Sequence, residues 1–202
     1  MGFRRNDTPI LQPRSRFLAA NTKDGVIRRL DGFIKLLPAG ARVLDLGCGS
    51  GRDTEILLAG GFEVDPTDGS PAMAAEAQKR LKRPVRVMRF DELADSGVYE
   101  GVWAHASLLH APELALGTVL ALVFEALKPG GLFFANFKTG GAAGRDHLDR
   151  YYNYPDPQAL IETYSSSGSW QILSSIEYAG TSYGGAATPW IAITARKPAP
   201  SY

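Results

Sequence analysis

The sequence is poor in the residues that build metal centres and disulfide frameworks. Its 202 residues include one cysteine, Cys48, and three histidines. A single cysteine excludes an intrachain disulfide and any zinc site made of several cysteines. The histidines, His105, His110 and His147, do not stand at a familiar ligand spacing. We therefore expect the protein to bind no metal.

An excess of one charge and a long apolar run are also missing. Lys and Arg number 22 against 21 Asp and Glu, a formal net charge of +1. This balance supplies no long-range attraction for duplex nucleic acid or an anionic membrane. The longest uncharged apolar stretch lies between Glu113 and Glu125, and crossing a bilayer takes about 20 residues. Polar residues follow Arg4 and Arg5, unlike in a signal peptide. We expect a cytoplasmic protein without nucleic-acid or membrane partners.

Short apolar runs alternate with amphipathic segments over much of the chain. The pattern predicts strands over residues 42–46, 62–65, 85–89, 101–104, 132–137, 170–176 and 190–196. It predicts helices over residues 53–59, 71–81, 114–127 and 156–166. Strand–helix alternation at this spacing is typical of an α/β fold, in which helices cover both faces of a parallel sheet.

We expect one domain over residues 1–202. Apolar residues at helical spacing predict a helical N-terminal cap over about residues 8–37. A ligand-binding core follows over residues 38–137. Residues 138–202 hold a polar insertion, rich in glycine and tyrosine, and then the last strands.

The clearest motif is a glycine-rich loop after the first predicted strand. Its sequence is Asp45-Leu46-Gly47-Cys48-Gly49-Ser50-Gly51. Glycines at alternate positions let the backbone approach a ligand where a Cβ would be in the way. In open parallel sheets, ligands bind beyond the carboxyl ends of the strands, which is where this loop falls. A turn that needs glycine only for its own geometry is the alternative.

The glycine spacing distinguishes two classes of cofactor. A dinucleotide fingerprint of the form G-x-G-x-x-G requires glycine at position 52, where this chain has Arg52. The pattern here is D-x-G-x-G-x-G. It argues against a nicotinamide-dependent oxidoreductase, which is the alternative enzyme class.

The loop resembles motif I of the class I S-adenosylmethionine-dependent methyltransferases, and other segments match that family in order. Asp68 stands 21 residues after Gly47, and Phe90-Asp91 follows the third predicted strand. Residues 99–104 and 127–131 match the family's fourth strand and the turn before its fifth. Segments 51–53, 103–110 and 137–140 are similar to small bacterial methyltransferases of the tellurite-resistance type. The resemblance implies a Rossmann-like, doubly wound sheet of seven mostly parallel strands, the last one antiparallel.

The resemblance also implies binding of S-adenosylmethionine and release of S-adenosylhomocysteine. Asp45 and the amides of residues 47–49 would hold the methionine part, Asp68 the ribose and Asp91 the adenine amino group. The expected cofactor contacts are Asp45, Gly47, Cys48, Gly49, Arg52, Asp68, Gly69, Met73, Phe90, Asp91, Ala104 and His105. The alternatives are solvated side chains for Arg52 and Asp91, helix capping for Asp68 and core packing for Met73.

Charge and motif content favour a small-molecule acceptor of the methyl group. DNA and protein amide methyltransferases carry an Asn-Pro-Pro-Tyr segment after the fourth strand, where this chain has residues 105–108 instead. The candidate catalytic residues are His105 and His110, since histidine titrates in the range useful for a base. The candidate acceptor-binding residues are Phe17, Asn21, His110, Arg150, Tyr151, Tyr152 and Tyr154. We expect His110 and residues 150–154 to face the methyl group from opposite sides. A sensor that binds the cofactor without transferring methyl is the non-enzymatic alternative.

Overall fold

The computed structural model describes residues 25–146, 149–181 and 187–200. The helices are α1 (Gly25–Lys35), α2 (Arg52–Ala59), α3 (Pro71–Leu81), α4 (Leu116–Ala126) and α5 (Pro157–Ser167). The strands are β1 (Arg42–Leu46), β2 (Glu63–Asp68), β3 (Arg86–Val87), β4 (Tyr99–Ala104), β5 (Leu127–Lys138), β6 (Gly144–Arg145), β7 (Tyr151–Tyr152), β8 (Gln171–Thr181) and β9 (Ala187–Arg196).

Seven of these strands form one sheet in the order β3-β2-β1-β4-β5-β9-β8. The first five strands are parallel, and β9 runs antiparallel to both of its neighbours. β1 lies between β2 and β4, so the winding direction reverses there, and ligands of doubly wound sheets bind at such a point. The predicted seven-stranded sheet with an antiparallel last strand is confirmed.

Alternate residues of the central strands pack on opposite faces of this sheet. Leu44 and Phe133 belong to a core with α4 and α5 on one face. Trp103 and Phe134 belong to a second core with α1 and α2 on the other, where their rings stack with centroids 4.2 Å apart. Burying a large apolar side chain contributes about 1.5–3 kcal/mol, so the two cores hold the loops at the carboxyl edge in place.

The start of β5 and the segment that follows it differ from the prediction. β5 begins at Leu127, inside a segment predicted as a turn, because Gly130 N–H bonds the Lys197 carbonyl and Lys197 N–H bonds the Gly131 carbonyl. These bonds extend the ladder between β5 and β9. A small antiparallel sheet of β6 and β7, within the predicted polar insertion, was not expected.

The predicted N-terminal cap is represented by α1, which packs Leu30 and Phe33 under the sheet. Phe17, Asn21 and His147 lie outside the described residues, so their predicted roles are not tested.

Candidate active site

The glycine-rich loop connects β1 to α2 at the carboxyl edge of the sheet. Gly47, Gly49 and Gly51 have φ angles of 81°, 55° and 79°, which side chains rarely tolerate. A Cβ added at Gly47 would lie 2.5 Å from the Cβ of Ser107. Glycine is therefore required at position 47 both by its conformation and by the close approach of the loop that follows β4.

The amide groups of this loop make hydrogen bonds within the protein. The N–H groups of Gly47 and Cys48 both donate to the Thr67 carbonyl, at 2.9 and 2.8 Å, and Gly49 N–H donates to Asp68 Oδ2 at 2.9 Å. Contrary to expectation, these three amides are not left free for the methionine part of a cofactor. They attach the loop to the end of β2 instead.

The Asp68 carboxylate lies where β2 ends and is half-buried. Its Oδ1 accepts from Ser70 N–H at 2.8 Å and its Oδ2 from Gly49. Ser70 is the residue that caps α3, because its Oγ accepts from Met73 N–H at 3.4 Å. Each carboxylate oxygen has further lone pairs, so Asp68 retains the capacity to accept two ribose hydroxyls.

An apolar cleft of ≈ 340 Å³ lies beside Asp68. It is lined by Gly69, Arg89, Phe90, Asp91, Ala111, Pro112, Ala115 and Val119. Arg89 donates hydrogen bonds to both carboxylate oxygens of Asp91. These bonds lower the pKa of that carboxyl, so Asp91 is an ionised acceptor at the cleft. A flat apolar recess with a carboxylate at its rim suits a purine ring with an exocyclic amino group.

The remaining predicted cofactor residues surround this loop. Met73 lies over it, with its methyl carbon 4.0 Å from where a Cβ of Gly49 would be. Arg52 is the exposed first residue of α2, and Ala104 is the buried last residue of β4. Cys48 packs against α3, and burial raises the pKa of its thiol to about 12, which leaves it protonated.

Asp45 is a buried acid beneath the loop, with 2% of its surface exposed. The Thr54 hydroxyl donates to its Oδ2 at 2.5 Å. Burial first, and then the negative charge of Asp53, raises its pKa to about 8. A cationic group placed above the loop would favour ionisation of this carboxyl.

Asp53 is a site residue that sequence reasoning missed. Its Oδ2 accepts from Trp103 Nε1 at 2.8 Å and lies 3.0 Å from His105 Nδ1. Burial opposes ionisation, but the hydrogen bonds from His105 and Trp103 outweigh it and lower the pKa of Asp53. The Asp53 carboxylate thereby orients the predicted residue His105.

The loop after β4 holds an unusual backbone conformation. Ala106 has a φ of 51°, and its N–H donates to Asn136 Oδ1 at 2.6 Å. Ser107 donates from its hydroxyl to the Leu46 carbonyl at 2.6 Å. Strained residues of this kind cluster at functional sites, where the surrounding contacts fix them. Asn136, buried on β5, was not singled out from the sequence, because only the pairing of β4 with β5 brings it to this loop.

His110 ends a short 3-10 turn in the same loop. Its Nδ1 lies 2.6 Å from the Tyr151 carbonyl. A carbonyl oxygen only accepts, so Nδ1 carries the hydrogen and Nε2 carries the lone pair of the neutral ring. Burial lowers the pKa of His110 despite this bond. The ring is therefore neutral at pH 7, with Nε2 available as a base.

Residues 150–154 form a wall in contact with His110 rather than a wall opposite to it. The His110 and Tyr152 rings lie 4.7 Å apart, and the Tyr154 ring lies 5.8 Å from that of Tyr152. The expectation that His110 and this segment face each other across the methyl group is therefore corrected. Arg150 forms an ion pair with Asp146 at 2.6 Å.

Asn153 ties this segment to the loop after β4. Its Nδ2 donates to the carbonyls of Leu108 and Ala111, at 2.9 and 3.3 Å, and its own N–H donates to Leu109. Tyr151 adds a weaker contact, as its hydroxyl accepts from Glu113 N–H at 3.4 Å. The tyrosine-rich stretch in the sequence pointed to this region, but the asparagine within it makes the connection.

A second recess, of ≈ 450 Å³, opens beside Tyr152 and Tyr154. It is lined by residues 139–142, 144–146, Tyr152, Tyr154 and 187–189. In the described part of the chain, no cluster of His, Cys, Asp and Glu is arranged to hold a metal ion. Nor does that part contain a helix with the length and apolarity needed to cross a membrane.

The central part of the chain is similar to known methyltransferases. Residues 43–131 match the family described as a methyltransferase domain. A crystal structure of a 1,6-didemethyltoxoflavin N1-methyltransferase from Burkholderia thailandensis, with bound S-adenosylhomocysteine, is 26% identical. It superimposes with a TM-score of 0.68 and coverage of 96% of this chain and 93% of that one. The chain is therefore similar to S-adenosylmethionine-dependent methyltransferases, and these comparisons support the predicted cofactor, S-adenosylmethionine.

Two further comparisons show how much of the chain the similarity covers. The chain is 40% identical over 106 residues to trans-aconitate 2-methyltransferase of Variovorax paradoxus, a match that covers 48% of this chain and 38% of that one. The chain thus spans less than half the length of the curated relatives it matches. TehB from Haemophilus influenzae shares the fold, with a TM-score of 0.69, 17% identity and coverage of 91% and 67%.

The described residues fit S-adenosylmethionine. The apolar cleft with Phe90 and Asp91 suits the adenine, and the neighbouring Asp68 carboxylate suits the ribose. The buried acid Asp45 lies under the loop, where a cationic methionine part would be placed.

Proposed function

We propose that the protein transfers the methyl group of S-adenosylmethionine to a small-molecule acceptor by direct displacement. The observation that carries this proposal is the position of one loop between two recesses. Ala111 lines the apolar cleft, and its neighbour His110 packs on Tyr152, which lines the second recess. A cofactor site and an acceptor site would thus meet at the carboxyl edge of β4.

When bound, the cofactor supplies a methyl group that is already electrophilic, so the protein's main task is to align the acceptor with it. The rings of Tyr152 and Tyr154 would fix the acceptor's orientation. Nε2 of the neutral His110 would take a proton from a hydroxyl or amine acceptor, which typically contributes 10²–10⁴-fold to the rate. Asn153 would hold His110 and these tyrosines in their relative positions.

The name of the Variovorax relative provides a first acceptor to assay. Trans-aconitate is a small carboxylic acid, and we propose it as a starting point in a wider screen of small molecules. The second recess favours transfer over a sensor role, because a sensor requires no acceptor site.

The decisive experiment combines isotopically labelled S-adenosylmethionine, purified protein and a metabolite extract, with mass spectrometry to detect a labelled product. We expect labelled methyl in a small molecule and formation of S-adenosylhomocysteine. Calorimetry should show that Asp68→Ala weakens S-adenosylhomocysteine binding by about 1–3 kcal/mol, since the ribose hydroxyls lose their acceptor.

Asp65→Ala is the matched control, because Asp65 lies on the same strand but pairs with Arg42 at 2.8 Å, away from the loop. Unchanged affinity in Asp68→Ala would move the ribose site elsewhere. Cofactor binding without any labelled product would favour the sensor.

A further inference from the structure

The polar recess beside Tyr152 contains charged groups whose pairing can be followed one by one. Arg150 pairs with Asp146 at 2.6 Å, and Arg145 pairs with Asp149 at 3.5 Å. Each of these arginines therefore has a carboxylate of its own. The positive charge of both is compensated within the protein.

Lys138 is a different case. It is the last residue of β5 and only 5% exposed. Its Nζ lies 3.9 Å from the centroid of the Tyr152 ring and 5.8 Å from that of Trp190. Among the residues that the structure describes, no carboxylate or carbonyl accepts a hydrogen bond from this ammonium. Ring faces attract a cation but leave N–H donors without acceptors.

The pKa of Lys138 agrees with a positive charge that no carboxylate fully compensates. Burial lowers the pKa of Lys138, and the positive charge of Arg150 lowers it further, while Asp146 opposes the shift only in part. An anion placed against Nζ would remove both penalties. Thr139, the next residue, and Tyr152, over whose ring Nζ lies, both line the recess, so Lys138 adjoins it.

We propose that the acceptor carries a carboxylate, and that Lys138 binds this group in the recess beside Tyr152. The inference rests on the proposed function and names the chemical class of its acceptor. One ammonium without a carboxylate partner can pair with one carboxylate group of the acceptor. The aromatic rings beneath Nζ shield the pair from water, which strengthens it.

Binding of matched acids and amides tests the proposal. Calorimetry would compare trans-aconitate, succinate and phenylacetate with succinamide and phenylacetamide, and with inorganic phosphate. Each titration would be run with and without saturating S-adenosylhomocysteine. We expect at least one acid to bind about 10- to 100-fold more tightly than its amide, the contribution of a charge-assisted hydrogen bond.

Lys138→Met should abolish this preference, and Lys138→Arg should retain part of it. Lys197→Met is the matched control, because Lys197 also lies over a ring, Phe124 at 4.7 Å, and donates to a carbonyl at the opposite edge of the sheet. It should leave the preference unchanged.

Three results would overturn the proposal: no acid bound more tightly than its amide, a preference retained in Lys138→Met, or phosphate bound more tightly than every acid. Even if a variant fails to fold, the comparison of acids with amides on the wild-type protein tests the proposal. Normal binding of S-adenosylhomocysteine in the same titrations, together with methylation of a neutral acceptor, would contradict the carboxylate while leaving the proposed function intact.

Discussion

Asp45 links the cofactor loop to the pH dependence of stability. Its pKa is about 8 in the folded protein, whereas an aspartate in an unfolded chain ionises near pH 4. Between about pH 4 and 8 the folded state therefore holds a proton that the unfolded state has released. The contribution of this group to the free energy of unfolding falls as pH rises through that window.

Asp45→Asn should flatten this fall, because the amide does not titrate. Urea unfolding at pH 5 and pH 8 measures the difference between the two free energies. Asp65 of β2, which is partly buried and pairs with Arg42, provides the control, and Asp65→Asn should keep the wild-type difference. An Asp45→Asn protein with an unchanged difference would show that another buried group is responsible.

His110 allows a base to be distinguished from a positioning group. His110→Asn can still donate to the Tyr151 carbonyl but has no basic nitrogen. If the histidine is a base, we expect a loss in the transfer rate of about 100-fold or more, with S-adenosylhomocysteine affinity unchanged. The rate of the wild-type enzyme should fall only below the usual histidine pKa, because burial lowers the pKa of His110.

The measurements are single-turnover rates against pH and a nitrogen NMR titration of the imidazole. A variant that keeps the wild-type rate would refute the role of base, and a midpoint above 6.5 would contradict the lowered pKa of His110.

At the scale of elements, local signals were sufficient for β1 and α3. Both were predicted with their observed bounds, because a buried apolar run defines Arg42–Leu46 and a serine cap followed by proline defines the start of Pro71–Leu81. β3 is shorter than predicted, because only Arg86 and Val87 pair with β2 at the sheet's edge. Edge pairing depends on the neighbouring strand and leaves little trace in the local sequence.

The sequence predicted those site residues that belong to a motif. Asp68 and Phe90-Asp91 stand at the ends of strands, where spacing reveals them, and the structure brings them together. The partners of Asp53, Asn136 and Lys138 are 14 to 52 residues away. Patterns in a single sequence do not reveal such tertiary contacts, so these residues were missed.

Two glycine substitutions can separate the cost of backbone strain from the cost of a steric clash in the loop between β1 and α2. Gly47 and Gly130 have nearly equal φ angles, 81° and 82°, but only Gly47 has a neighbour within 4 Å of an added Cβ. Gly130→Ala should cost about 1–2 kcal/mol for its conformation. Gly47→Ala should cost about 1–3 kcal/mol more for overpacking against Ser107.

Chemical denaturation of both variants measures the two costs, and calorimetry measures cofactor affinity. Affinity should fall in Gly47→Ala and stay constant in Gly130→Ala. Equal costs in the two variants would mean that Ser107 moves aside freely.

For the whole molecule, the cofactor should act as a stabilising ligand. S-adenosylhomocysteine at 100 times its dissociation constant should add about 2.7 kcal/mol to the free energy of unfolding. For a chain of this size, that corresponds to a rise in Tm of about 5–10 °C. Differential scanning fluorimetry would measure it, with NADH at equal concentration as the control, and stabilisation by NADH alone would contradict the cofactor assignment.

The position of β9 between β5 and β8 has a consequence for synthesis of the protein. The outer edge of β5 pairs with β9 at seven successive positions, from Leu132 to Lys138. During translation, at roughly 5–20 residues per second, this edge stays open for several seconds before its partner leaves the ribosome. An open edge rich in phenylalanine is a template for association between chains. Nascent chains paused between β5 and β9 should therefore associate more readily than the complete chain.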